Sequence, residues 1–150
     1  TETHHGFICA NSGVDSSNVS RDDVVLRVPK NPDESAQTLA SKIQSLTGIK
    51  KMSVIISDTF GRPWREGQVN YSIGSSGIQP TVDYRGNKDS LNRVMNVTEI
   101  AIIDEMASAA ELVMGKTSRI PVAIIRGFQY TDNQRGTGSL LRKKQTDLFR

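Results

Sequence analysis

One cysteine, Cys9, and two histidines, His4 and His5, are all the thiol and imidazole chemistry the chain has. A disulfide within the chain is excluded, and no second Cys or His follows at the spacing of a zinc site. Ser-His-Asp or Cys-His catalysis would be confined to the N-terminal edge and is not expected. Long apolar runs are also missing: none approaches the ~20 residues that cross a bilayer. The opening TETHHGFICANSG has neither the basic start nor the apolar stretch of a secretion signal. A cytoplasmic protein without membrane contact is expected, and the sequons Asn18-Val19-Ser20 and Asn96-Val97-Thr98 are then chance matches.

What is present is ordinary for a folded domain: 150 residues, 36% hydrophobic and 23% charged. A single domain of this size buries roughly 68–70% of its unfolded surface and needs no covalent staples. The net charge of +3 is uneven, because residues 126–150 carry six basic side chains against Asp132 and Asp147. That basic tail has few aromatics, Phe128, Tyr130 and Phe149, and the rest of the chain offers no basic face. A solvated tail is the expectation, a phosphate-bearing small molecule is the second reading, and no nucleic-acid partner is expected. The chain opens at Thr1 directly on a dense motif, as part of a longer protein would.

Strands are expected at Val24–Val28, Met52–Ser57 and Val122–Ile125, which are short, β-branched and bounded by polar residues. Phe7–Ala10 and Val69–Ile73 are weaker candidates. A first helix should start at Asn31-Pro32-Asp33-Glu34, with a capping Asn, a Pro in the first turn and two carboxylates, and end at Gly48. A second should run from Thr98 to Gly115, with Ile100, Ile103, Ala107, Ala110 and Met114 forming its core stripe. Its charges Asp104, Glu105 and Glu111 could be ligands if they point inward, but opposite that stripe they are expected in solvent. The order implies an α+β (mixed α/β) fold, a mixed β-sheet with packed helices.

Chemistry concentrates in Val54-Ile55-Ile56-Ser57-Asp58-Thr59-Phe60-Gly61-Arg62-Pro63-Trp64-Arg65. An apolar strand delivers a carboxylate and a hydroxyl at its end, where a side chain is both held and exposed, so Asp58 suits a hard cation. Arg62 and Arg65 would face the anion that such a cation neutralises, since their planar forks match phosphate or carboxylate. The plainer reading makes Asp58 a turn cap and leaves both arginines in solvent. Asp15 and Asn18, three residues apart in Gly13–Asn18, offer a second set of oxygen donors, with an Asx turn as the simpler alternative. Met114-Gly115-Lys116-Thr117-Ser118 is not a P-loop. Ala110 stands where the first Gly belongs, and the segment follows a helix end, whose partial charge repels phosphate. If Lys116, Thr117 and Ser118 touch phosphate, they do so as an ordinary loop with one point charge.

Taken together, HGFICANSGVDSSNV (5–19), ISDTFGRPWREG (56–67), IGSSGI (73–78), DYRGNKD (83–89), DEMASAAELVMGK (104–116) and PVAIIRG (121–127) resemble the coenzyme F420-0:γ-glutamyl ligase family. The motifs stand in the family's order over residues 4 to about 127, and DLFR (147–150) resembles the end of its domain. The resemblance implies residues 1–127 as a ligase-like core, 128–150 as a basic segment closing the same domain, and a further N-terminal portion ahead of the HGF motif. It implies an archaeal-type enzyme that uses GTP and Mg²⁺ or Mn²⁺ to join L-glutamate to coenzyme F420-0 through an acyl phosphate, working as a homodimer. Asp15, Asp58 and Thr59 would be metal ligands. Asn18 would touch the nucleotide, and Met114, Gly115, Lys116, Thr117 and Ser118 would pass along its phosphates. Lys116 departs from the family's Gln at a position tied to a second metal, and a protonated ammonium cannot ligate a cation. Two other readings stay open: a homologue with a different carboxylate acceptor, and a non-catalytic dimerisation or ligand-binding module.

Overall fold

The computed structural model describes residues 1–10, 13–17, 19, 21 and 23–147. Its centre is an antiparallel hairpin of β3 (Val54–Arg62) and β4 (Arg65–Ser76), which follow the short strands β1 (Val14–Asp15) and β2 (Leu26–Arg27). Two helices, α1 (Pro32–Thr47) and α2 (Ile102–Met114), both pack on β4. Strands β5 (Val82–Asp83) and β6 (Glu99–Ile100) pair just ahead of α2.

The class is α+β, as expected, but a single mixed sheet is not formed. All three ladders among the described residues are two-stranded and antiparallel: β1 with β2, β3 with β4 and β5 with β6.

Helix α1 begins where its local chemistry demands. Asn31 Oδ1 accepts the Glu34 amide at 3.2 Å, and Pro32 occupies the first turn, where a missing N–H costs nothing. It ends at Gly48, whose φ of 71° is the left-handed stop that favours glycine. The buried face of α1 is made of small residues, Ala36 and Ala40. That lets its N-terminus press on β4: a Cβ on Gly74 would lie 2.4 Å from the Pro32 carbonyl carbon.

A polar network locks the same corner. Asp33 Oδ1 accepts the amides of Ser75 at 2.8 Å and Thr137 at 2.9 Å, and the Thr137 hydroxyl meets Ser72 Oγ at 2.7 Å. Three segments far apart in sequence are thereby held together. The apolar core lies beside it, with Ile78, Ile102 and Ile103 buried and Ile55, Val82, Ile100, Met106, Tyr130 and Leu140 packed around them.

Four expected elements are corrected. The second helix starts at Ile102, not Thr98, because Glu99–Ile100 pairs with β5 and places Ile100 in the core. The Val24–Val28 strand shrinks to Leu26–Arg27, paired with Val14–Asp15 on an exposed edge. Phe7–Ala10 makes only the isolated bridge Glu2↔Ile8. Val122–Ile125 belongs to no ladder among the described residues. The β-branched pattern there signals apolar contact, but Val122 stays 69% and Ile124 74% exposed. Among the described residues, no helix is long and apolar enough to cross a membrane.

Candidate active site

The register of the central hairpin sets the site. Between Ile56↔Gly74 and Ser57↔Ser72 the ladder shifts by one residue, a bulge that leaves Ile73 of β4 unmatched. Past the bulge, Asp58 stands opposite Tyr71 and Thr59 opposite Asn70. Beside it the Ser72 N–H donates outside the ladder, to Asp104 Oδ1 of α2 at 2.9 Å.

Helix α2 is fastened to β4 by a polar row at helical spacing. Asp104 takes the Ser72 amide, Ser108 Oγ donates to the Asn70 carbonyl at 2.8 Å, and Glu111 Oε2 accepts from Asn70 Nδ2 at 3.0 Å. Residues 104, 108 and 111 share one helix face. Asp104 and Glu111 are therefore turned towards the sheet, contrary to their expected place in solvent. Burial pushes the Asp104 carboxyl above its ordinary range, partly offset by the Ser72 amide.

These contacts line a cavity of about 790 Å³, bounded by Ser57, Asp58 and Thr59 of β3, Asn70 of β4, Glu111 and Met114 of α2, Val19, and the loop residues Gly115, Lys116, Thr117, Arg119, Ile120 and Pro121. Asp58 Oδ1 accepts the Thr59 amide at 2.7 Å. The Thr59 hydroxyl donates to Asn70 Oδ1 at 2.7 Å and accepts from Lys116 Nζ. Asn70 is almost fully buried and spends both ends of its amide, one on Thr59 and one on Glu111. Arg119 has a positive φ of 56°, unusual for a side chain of that size, on the loop that closes the cavity.

The hard donors on this wall are oxygens, the carboxylates of Asp58 and Glu111, the hydroxyls of Ser57, Thr59 and Thr117 and the Asn70 amide carbonyl, with no thiol or imidazole beside them. That chemistry fits a hard divalent cation of the Mg²⁺ or Mn²⁺ kind. Among the described residues no group of three or more His, Cys, Asp or Glu converges, so neutral oxygens and the substrate would have to complete a metal's shell.

Of the residues singled out in the sequence, Asp58, Thr59, Met114, Gly115, Lys116 and Thr117 come together on this cavity. Asp15 does not line it. Its carboxylate forms the simpler Asx turn, accepting the Ser17 amide at 2.8 Å and the Ser17 hydroxyl at 2.5 Å. Those bonds chiefly hold the Asp15 carboxyl below its ordinary range, and the charge of Lys116 reaches it and adds to the effect. Asn18 lies outside the described residues. Ser118 also stays off the wall, with its Oγ beside Gly115. Arg62 turns back on its own hairpin, donating to the Glu66 carbonyl at 2.6 Å, and Arg65 opens β4 in solvent. Neither arginine borders the cavity. Sequence reasoning passed over Asn70, whose register on β4 no local motif reveals. The Glu111 signal was its spacing to Asp104.

A family model, F420-0:Gamma-glutamyl ligase, matches residues 1–127. The chain belongs to the F420-0:γ-glutamyl ligase family. It is 50% identical over 151 residues to the coenzyme F420:L-glutamate ligase of Methanocaldococcus jannaschii, covering 100% of this chain and 59% of that protein. The ligase of the same name from Methanococcus maripaludis strain C7 is 47% identical over 152 residues, and that of Methanothermobacter thermautotrophicus 42% over 153. Each covers 100% of this chain and 60% of the relative. The chain thus spans about three-fifths of the length of the curated relatives it matches.

Proposed function

We propose that this chain carries the catalytic metal and phosphate side of a GTP-dependent ligase that joins L-glutamate to coenzyme F420-0. The observation that carries this reading is its 42–50% identity, from end to end, to proteins named coenzyme F420:L-glutamate ligase. The oxygen-lined cavity beside the middle of β3 supports it physically.

A carboxylate is a poor electrophile at neutral pH, so amide formation needs activation. A carboxylate oxygen of the acceptor attacks the terminal phosphorus of GTP, and GDP leaves, giving an acyl phosphate. The amine of glutamate then attacks the acyl carbon, phosphate leaves with the bonding pair, and the amine gives up a proton. Such chemistry is mostly positioning and electrostatics, and it needs no nucleophilic side chain. Lys116, on the cavity wall, offers a positive charge to a phosphate oxygen.

Asp58 would hold Mg²⁺ or Mn²⁺, with Glu111 beside it and Asp15 near enough to Lys116 to share its field. When bound, the ion supplies charge neutralisation between phosphate oxygens. Asn70 orients the wall by fixing Thr59 on one side and Glu111 on the other. We further propose a homodimer, because the extended segment from Ile120 to Phe128 exposes Val122 by 69% and Ile124 by 74% with no ladder partner among the described residues.

The test is to incubate the protein with GTP, Mn²⁺, L-glutamate and F420-0 and to follow the acceptor by mass spectrometry. A mass gain of one glutamyl residue with matching GDP release supports the reading. GDP release with an unmodified acceptor, while another carboxylate acceptor gains glutamate, moves the activity to that acceptor. No nucleotide turnover and no binding by this chain refutes it.

A further inference from the structure

The Thr59 hydroxyl has a single proton, and it is committed to Asn70 Oδ1 at 2.7 Å. Only lone pairs remain on that oxygen, and Lys116 Nζ donates to them. The direction of this contact is fixed: an ammonium has protons and no lone pair, and Asn70 in turn is held by Glu111 Oε2 through its amide nitrogen at 3.0 Å. A divalent cation that used Thr59 as a ligand would need the same lone pairs, at about 2.0–2.1 Å for Mg²⁺. The two positive groups cannot share one oxygen at those distances.

Lys116 is well placed to stay there. It follows the end of α2 by two residues, and the turn is pinned by the Gly115 amide donating to the Glu111 carbonyl at 2.9 Å. Glu111 therefore anchors both sides: its carbonyl holds the turn that carries Lys116, and its carboxylate holds the Asn70 amide that orients Thr59. The charge of Lys116 is also felt at Asp15.

We infer that Lys116 is a tethered cation that occupies the Thr59 corner of the cavity and excludes a divalent ion from it, confining divalent metal to the Asp58 side. This rests on the metal-dependent reading above. A triphosphate then meets one monovalent charge built into the loop, and the site's demand for divalent metal falls accordingly.

The experiment measures Mn²⁺ binding without nucleotide, from the free-Mn²⁺ paramagnetic resonance signal, for the wild type and for Lys116→Met, Lys116→Arg, Thr59→Val and the Lys116→Met/Thr59→Val double variant. Lys116 is exposed, so its removal spares the core, and circular dichroism checks each fold. Freeing the Thr59 oxygen to act as a ligand should tighten Mn²⁺ by about tenfold or more, the scale on which single groups around a metal change its affinity. Lys116→Arg should stay near the wild type, Thr59→Val alone should change little, and the double variant should lose most of the gain. Equal affinity in the wild type and Lys116→Met overturns the inference and leaves the metal-dependent reading standing. A gain that persists in the double variant overturns it as well, because charge alone would then account for the effect. No Mn²⁺ binding by any form overturns the inference and the metal-dependent reading together.

Discussion

Asp33 should be among the most sensitive polar positions in the fold. Its Oδ1 accepts two backbone amides, Ser75 at 2.8 Å and Thr137 at 2.9 Å, and both donors belong to residues that are almost completely buried. Asp33→Ala strands both donors away from water. Each orphaned donor costs about 1–3 kcal/mol, so the loss is about 2–6 kcal/mol. Removing a carboxylate from the first turn of α1 adds about 0.3–1 kcal/mol through the helix dipole. Against a total of about 5–15 kcal/mol for a domain, that is a large fraction.

Asp33→Asn separates the two contributions. An amide oxygen still accepts from Ser75 and Thr137, so only the charge assistance is lost, at about 1 kcal/mol. Urea unfolding followed by circular dichroism measures both variants, and hydrogen exchange at the Ser75 and Thr137 amides reads the contacts directly. Faster exchange at those two sites with a loss of at least about 2 kcal/mol is expected for Asp33→Ala. A loss below about 0.5 kcal/mol, or equal losses for Ala and Asn, would refute the role given to this network.

Other expectations follow from the same geometry. Gly74→Ala drives a Cβ into the Pro32 backbone, where neither side is a flexible chain end, and should cost at least the roughly 1–3 kcal/mol of ordinary overpacking in thermal or urea melts. Asp104→Asn keeps an acceptor for the Ser72 amide and removes a buried charge. The raised carboxyl of Asp104 lends stability that is fully present below its unfolded pKa and is lost as pH rises through its folded one, so the variant should flatten the pH dependence of stability above pH 4 and be no less stable at pH 7. An unchanged slope would count against that burial effect. Arg85→Ala should release the Asp83 carboxyl, now held at about 2 by the Arg85 side chain, back towards the ordinary carboxylate range in an NMR titration. Asn70→Leu should lower metal-dependent GTP affinity by about tenfold through the loss of both Thr59 and Glu111 positioning, with little change expected in variants at Arg62, which bonds its own hairpin and does not line the cavity.

What could be read in the sequence was what short-range chemistry decides. Helix α1 announced itself through Asn31, Pro32 and Gly48 because a cap, a first-turn proline and a left-handed stop are all local. The Asp58–Thr59 pair was legible because an apolar run followed by a carboxylate and hydroxyl needs no partner to be recognised, but its place was not: β3 continues to Arg62 through pairing with β4, so the pair stands in mid-strand and not at the strand's end. Thr98 misled: it has the chemistry of an N-cap, but pairing of Glu99–Ile100 with β5 takes those residues out of the helix. Val122–Ile125 misled for the opposite reason, since its strand-like composition finds no strand beside it among the described residues.

The site was half legible. Asp58, Thr59 and Lys116 carry chemistry in their own motifs, whereas Asn70 acquires its place only through the hairpin register, after a one-residue bulge that no local signal marks. Glu111 and Asp104 looked like solvated charges because the apolar stripe of α2 was taken to define its only buried face. A second row, Asp104, Ser108 and Glu111, serves β4 from the same helix. Proximity to Asp58 in sequence made Arg62 a candidate for an anion, with a solvated side chain as the plainer reading; the hairpin turn folds it onto the Glu66 carbonyl.

The most direct measurement is calorimetric titration of GTP into the protein with Mn²⁺ present, for the wild type and for Asp58→Asn. A cavity whose metal is held by Asp58 predicts Mn²⁺-dependent GTP binding in the wild type that falls to the metal-free level in Asp58→Asn, with the fold intact by circular dichroism. Metal-dependent binding of equal strength in both forms would contradict that assignment of the site.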